Sequence, residues 1–313
     1  MKNQEDLKPL LSSVESQRQK IYSKFVQVKR LSFVFGIMFW AFILLLFYGA
    51  ISDKVQLCGI AFLSTFIFVT LQALANTSMN TLSLNCKKLL KKSVYPSLIS
   101  SLDGFSYVDL GSQDTSKLFD KLVETNVFGS ITRIVCDDCI RCSSKETPFS
   151  IYDMAADTLV CAGRSSGRKT LFDGILVIAK CHKNFNGVTV IKPKNLPDFV
   201  HDSFTAFERV KLEDPVFEKN FNVYSTNQIE SRFLITTAFM ERLIKIEQKF
   251  KGHISCHFEK GEIFICINDS KDRFEIPMDK PLTDEKALLP IFEDINAIRQ
   301  LVETLKLEDS TGL

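Results

Sequence analysis

Leu31–Ile51 reads LSFVFGIMFWAFILLLFYGAI, twenty-one residues without an acid or a base. As a helix rising about 1.5 Å per residue it spans roughly 31 Å, the thickness of a bilayer's hydrocarbon core. Thirteen of its residues are Leu, Ile, Phe or Val, and each favours insertion by roughly 0.3–0.6 kcal/mol near the helix centre. The stretch therefore reads as one membrane crossing. Val55–Leu74 is a second candidate, interrupted by Ser64, Thr65, Thr70 and Gln72 but uncharged, and the run without charge continues to Lys87. Only Ser52, Asp53 and Lys54 separate the two. A link that short makes the helices adjacent and antiparallel, so both flanks of the hairpin fall on one side of the bilayer.

The flanks set the orientation. Arg18, Lys20, Lys24, Lys29 and Arg30 precede the first span, Lys87, Lys88, Lys91 and Lys92 follow the second, and the connecting turn holds a single Lys. Cationic flanks are retained inside, which predicts both termini on the cytoplasmic face of a multi-pass protein with two spans. Two buried helices of a globular protein would be shorter or carry charge, and a cleavable signal peptide would have a shorter apolar run and a shorter leader. Nine cysteines, an odd number at irregular spacing, suit a reducing compartment, and no disulfide is expected. Within the first thirty residues Ile21, Phe25 and Val28 fall at helical spacing among basic residues. That pattern fits either a helix in the headgroup layer of an anionic leaflet or one packing back on the soluble part of the chain.

Across all 313 residues the chain is 45% apolar and 24% charged with a net charge of +2, so the apolar block is what excludes a wholly soluble protein. The 27 Phe exclude a disordered one. Beyond the hairpin, Asn76–Leu102 begins with helical character, and Leu118, Phe119, Leu122 and Val123 mark another helix. Ile131–Ile140, Thr158–Ala162, Leu171–Lys180 and Val188–Lys192 are β-prone runs bounded by turn residues. Ser225–Gln228 has the form of a capping box, followed by a stripe of Ile229, Phe233, Met240, Leu243 and Phe250 in one helix ending near Gly252. His253–Phe258 and Glu262–Ile267 form a hairpin about Glu259-Lys260-Gly261, Phe274–Ile276 adds a third strand, and a last helix opens at or just before Pro290 and carries Phe292, Ile295, Ile298, Val302 and Leu305. The expected fold class is α+β: a basic helix over 1–30, a transmembrane hairpin over 31–75 (spans 31–51 and 55–74), a strand-rich domain over 76–210 and a helix-hairpin-helix unit over 211–313.

Several motifs bear on chemistry. Cys136, Cys139 and Cys142 repeat at the spacing of an iron–sulfur run, without the fourth Cys and the Pro that complete it. On a regular strand Cys136 and Cys142 would share one face and Cys139 the other, and Asp137 and Asp138 would likewise point apart. His253, Cys256 and His257 resemble a partial zinc set with no fourth ligand. Gly163–Thr170 imitates a phosphate loop, with three residues between its glycines where four are needed and Arg168 intruding before Lys169, so a basic hairpin connection reads better. No basic stripe with interleaved aromatics points to nucleic acid.

The run LEDPVFEKNFNVYSTNQIESRFLITTAFMERL, Leu212–Leu243, resembles the signature of uncharacterised bacterial proteins catalogued as domain of unknown function 3137. The likeness rests on Glu213, Asp214, Pro215, Phe217, Phe221, Val223, Tyr224, Ser225, Gln228, Arg232, Phe233, Phe239, Met240, Glu241, Arg242 and Leu243. It departs at Ser231-Arg232 and Ile235-Thr236-Thr237, where the family more often has Ala-Arg and Leu-Thr-Pro. The resemblance implies a membrane hairpin joined to a cytosolic region in a bacterial inner membrane, and it brings no activity and no catalytic residue. Arg232 is the charged position of the signature singled out, either paired with Glu213 or Asp214 or contacting a partner or anion. The function expected is a membrane-anchored binding or scaffold module without catalytic, metal or cofactor sites. Its partners are the lipid bilayer and a protein of unknown identity, with homo-oligomerisation open. The alternative is a membrane-tethered enzyme or redox protein using Cys136, Cys139 and Cys142.

Overall fold

The structure, a computed structural model, describes residues 4–52, 55–143, 148–162, 165–181, 183, 185–194, 207–250, 254–270 and 274–304. Asp53, Lys54, Gly163, Arg164, His253 and Leu305 lie outside these, as does the Cys58 side chain. The fold is α+β, with two long apolar helices followed by helices and an antiparallel sheet. The chain divides into a helical unit, Asn3–Leu98 with Ile276–Leu288, and a sheet unit holding Ile99–Glu275 and the chain from Leu289.

In the helical unit α1 (Gln4–Ile51) and α2 (Val55–Ser93) form an antiparallel pair. Both outrun the expected spans. Neither Gly36 after Arg30 nor Asn76-Thr77-Ser78 after Leu74 interrupts the backbone and no Pro stands close behind either, so the N-terminal helix and the first span are one helix of about 72 Å. The helices contact through Phe35 and Phe42 on either side of Phe68, at centroid separations of 6.3 and 5.4 Å, and through a 2.6 Å bond from Gln72 to Ser32. Ser64, Thr65 and Thr70, which interrupt the second span, donate to the carbonyls of Ile60, Ala61 and Ile67. Hydroxyls bonded to their own helix can sit in apolar surroundings at little cost. The outward apolar side chains have no protein cover: Phe33 is 71% exposed and Ile51 84%, and Trp40, Leu44, Phe62 and Phe66 are similarly bare.

At the other end of α1 the pattern reverses. Arg18, one of the basic residues that precede the first span, is only 3% exposed. It forks onto Glu15, at 2.8 Å from Nε and 2.6 Å from Nη2, and its Nη1 donates to the Met278 carbonyl. Glu15 also accepts the Leu282 amide at 2.9 Å, and the Tyr95 hydroxyl accepts the Ile276 amide at 3.0 Å. The basal helices are thus held by the returning segment Ile276–Leu288, while Ile21, Phe25 and Val28 are half-buried.

The sheet unit is built on nine antiparallel strands in the order β1-β2-β3-β4-β9-β8-β5-β7-β6. These are β1 (Phe105–Val108), β2 (Arg133–Cys142), β3 (Phe149–Ala162), β4 (Ser165–Lys180), β5 (Thr189–Pro193), β6 (Glu208–Val210), β7 (Phe221–Ser225), β8 (Ile254–Glu259) and β9 (Glu262–Asn268). The short helix α3 (Tyr95–Ser100) follows α2 in the chain; in the sheet unit α5 (Pro215–Asn220) packs beside β7, and Asp214 caps it by accepting from the amides of Val216 and Phe217. Strands from both sides of the boundary expected near residue 210 belong to this one sheet, since β4 pairs with β9 and β5 with β7. Gly174 in β4 has φ +152°, and a Cβ there would overlap the Ile267 carbonyl oxygen of β9, so only glycine lets these central strands close.

One sheet face is covered by α4 (Ser112–Glu124), whose Leu118 and Leu122 pack with Met154, Phe172, Leu176 and Phe264. The other is covered by α7 (Thr237–Phe250) and the part of α8 (Glu285–Thr304) that follows Leu289. Phe239 meets Phe258 edge-on at 5.8 Å, and Arg242 and Lys249 join α7 to the Gln300 carbonyl and to Asp294, each at 3.0 Å.

Three details differ from the sequence reading. The single helix expected from Ile229 to Phe250 is broken into α6 (Gln228–Leu234) and α7, because Ile235 leaves helical geometry at φ −95°, ψ 82°. The break turns Ile229 and Phe233 out to solvent while Met240, Leu243 and Phe250 stay buried. Asn227, not Ser225, is the N-cap, accepting from the Ile229 and Glu230 amides. Phe274–Ile276 is not a strand; Phe274 and Ile276 are nonetheless buried.

Candidate functional site

The cysteine run lies on β2, as expected, but its faces do not alternate as expected. A bulge at Asp137 shifts the register between Cys136 and Asp138. Cys136 then pairs with Met154 and Cys139 with Tyr152, two positions apart on β3, so these two thiols share the α4 face and Cys142, opposite Phe149, takes the other. Burial pushes the Cys139 thiol up to about 11 and Cys136 further still, so both are protonated at neutral pH. The same bulge sets Asp138 beside Asp153, both buried, with the Tyr107 hydroxyl donating to Asp138 at 2.7 Å. Among the described residues no group of three or more His, Cys, Asp or Glu is placed to hold a metal.

His257 and Cys256 occupy opposite faces of β8, and His257 is bonded to Glu259 at 2.9 Å. Ser165–Thr170, the described part of the phosphate-loop imitation, is extended strand within β4. Arg232 lies exposed on α6 and forms no ion pair among the described residues. The pairing expected with Glu213 or Asp214 is not made, and Asp214 spends its carboxylate on the α5 cap. Arg232 shares its exposed face with Ile229 and Phe233, 81% and 58% exposed, at i−3 and i+1. Lys183, buried, donates to the Phe233 carbonyl at 2.7 Å and lies 4.4 Å from the Phe233 ring centroid.

A site the sequence did not reveal opens between α4 and one end of the sheet, a cavity of about 540 Å³. Its floor is a cross-strand row: Arg141 of β2 faces Ser150 of β3, which faces Ile178 of β4. In the next row Lys180 of β4 faces Glu262 of β9. Tyr152 adds a ring to the floor, and α4 supplies Asp114, Lys117, Leu118 and Lys121 as the opposite wall. Lys121 is tied to Glu262 at 2.6 Å. Lys117, Arg141 and Lys180 are exposed and unpaired among the described residues, and only Asp114 among the lining acids is likewise unpaired. Burial raises the Tyr152 phenol above its ordinary range, which keeps it a hydrogen-bond donor. The first turn of α4 also borders the cavity, with Gly111 as an N-cap that offers no side chain to its free amides.

The model of the family described as protein of unknown function (DUF3137) matches residues 170–307, which takes in the Leu212–Leu243 run and starts after the hairpin. No curated protein matches the chain. Among solved structures, the mycobacterial trehalose monomycolate transport factor A, TtfA, is similar over 68% of this chain and 92% of its own, at 12% identity and a TM-score of 0.39.

Proposed function

We propose that this protein is a membrane-anchored binding or scaffold module without catalysis of its own, held in a bacterial inner membrane by the α1–α2 hairpin with its sheet unit in the cytosol. The observation that carries this reading is the uncovered apolar surface of the hairpin. Both helices contain lengths apolar enough to cross a bilayer, and those lengths are 6% and 11% buried within the protein. A core helix of a soluble protein would be mostly covered by its own fold, whereas side chains such as Phe33, Leu44 and Phe66 would face water without lipid. The protein partner of such a module meets Arg232, together with Ile229 and Phe233 on the exposed face of α6.

Protease added to spheroplasts and to inverted membrane vesicles tests the arrangement. Protection of the chain beyond Ala75 in spheroplasts and its digestion in inverted vesicles are expected; digestion in spheroplasts would overturn the topology. Crosslinking and pull-down from native membranes, comparing the intact chain with Arg232→Ala, tests the contact, which is withdrawn if the partner set is unchanged.

A further inference from the structure

The cavity beside α4 has the charge, size and lining of a ligand site. Lys117, Arg141 and Lys180 come from three separate elements and converge on one cavity with no carboxylate partner among the described residues. Lys121 and Glu262 neutralise each other, so the three unpaired cations face only Asp114 and the cavity keeps two positive charges. An arrangement that gathers like charges around a hollow, instead of dispersing them in solvent, is held against its own repulsion by the fold. The free amides that open α4 add partial positive charge on the same side. Beneath the cations Tyr152 and Ile178 of the sheet face Leu118 of α4 across an apolar and aromatic interior. The cavity's 540 Å³ suits a small molecule and is too little for a folded partner.

We propose that this groove binds a terminal phosphate monoester carried on an apolar or aryl body, the phosphate among Lys117, Arg141 and Lys180 and the body against Tyr152 and Ile178. A phosphate monoester brings close to two negative charges and three acceptor oxygens, which matches the cavity's charge and its separate donors. A monocarboxylate brings one charge and two oxygens and would leave a cation unanswered. The inference rests on the binding-module reading and names the class of ligand the module takes. The same chemistry is offered by a soluble phosphorylated metabolite and by the headgroup of phosphatidic acid, so the test separates the two sources.

The full chain in phosphatidylcholine nanodiscs is titrated calorimetrically with phenyl phosphate in one arm and with dihexanoyl phosphatidic acid in the other, with benzoate as the monoanion comparator. Saturable one-to-one binding is expected in at least one arm, weaker in higher salt and about tenfold weaker for benzoate. The double variant Lys117→Gln with Arg141→Gln is expected to lower affinity by about tenfold or more, while Lys245→Gln on the far face changes nothing. Both groove positions are exposed, so the double variant should keep the native melting temperature; if it does not, Lys180→Gln replaces it. Binding of phenyl phosphate identifies a soluble ligand, and binding confined to the lipid identifies a headgroup. No binding in either arm up to about 5 mM, or binding that the groove variants leave untouched, overturns the proposal. Either failure leaves the protease-protection result as it was, so the site and the anchored-module reading fail separately.

Discussion

The two ends of α1 invert the usual partition of residues. Toward Ile51 the helix leaves Phe33, Trp40 and Leu44 uncovered, whereas toward Gln4 it buries an Arg and a Glu. Burial on a single helix therefore follows the partner available at each level and not the polarity of the side chain alone. The outer length has one neighbouring helix, which covers one stripe and leaves the rest bare. The basal length has a second neighbour, Ile276–Leu288, whose backbone groups at Met278 and Leu282 have no strand or helix partner and bond instead to Arg18 and Glu15. A buried ion pair is tolerable when the groups around it complete its hydrogen bonds, and here they do.

Breaking the basal half should have the largest effect. Arg18→Ala leaves Glu15 buried without its counter-charge and is expected to cost about 3–5 kcal/mol, read as a lowered unfolding midpoint of the helical unit. The double variant with Glu15→Ala should cost less than Arg18→Ala alone, since the stranded charge is gone. In the outer half, Leu44→Lys should disfavour insertion by about 2.5–3.5 kcal/mol near the span centre, measured as the fraction of chains resisting alkaline extraction. In a soluble protein the same change at an exposed site would be neutral, so unaltered extraction would refute the membrane assignment.

Acid should act on the base before the tip. Arg18, by hydrogen bond and charge, holds the Glu15 carboxyl below its ordinary range, against the opposing effect of burial. The stability this contributes is present above the unfolded-state pKa and is lost as pH falls through the lowered folded value. Amide exchange at Leu282 should therefore accelerate below about pH 4, while the uncharged outer length is unchanged. The smallest effect concerns reactivity alone. At pH 8 iodoacetamide should modify exposed Cys161 readily and buried Cys139, whose thiol is pushed up to about 11, at least about a hundredfold more slowly. Equal rates, or iron or zinc bound in proportion to the protein and lost on Cys139→Ser, would favour the redox alternative.

The sequence was most legible where one local pattern decides the outcome. The apolar runs, the Leu118/Leu122 pair and the Lys260-Gly261 turn, both residues at positive φ, each follow from neighbouring residues alone. It was misleading where a single backbone irregularity changes every later side chain. The bulge at Asp137 moved Cys139 to the face of Cys136, and the break at Ile235 turned Phe233 outward. It was silent where partners are distant: Arg18 meets Met278 across 260 positions, and the groove takes its cations from α4, β2 and β4. Short strands β1, β6 and β7 also went unread, being three to five residues long with little room for a period to show.

The path of the chain carries a practical consequence. Between β9 and α8 the polypeptide leaves the sheet unit at Glu275, contributes Ile276–Leu288 to the helical unit, and comes back at Leu289. No single cut separates the helical unit from the sheet unit: a fragment starting at Ile99 keeps a belt whose buckle has been thrown away. Ile276, Leu282 and Ala287, now enclosed, would be bared in such a fragment, and stickiness of that preparation would report the missing helices and not a fault in the sheet.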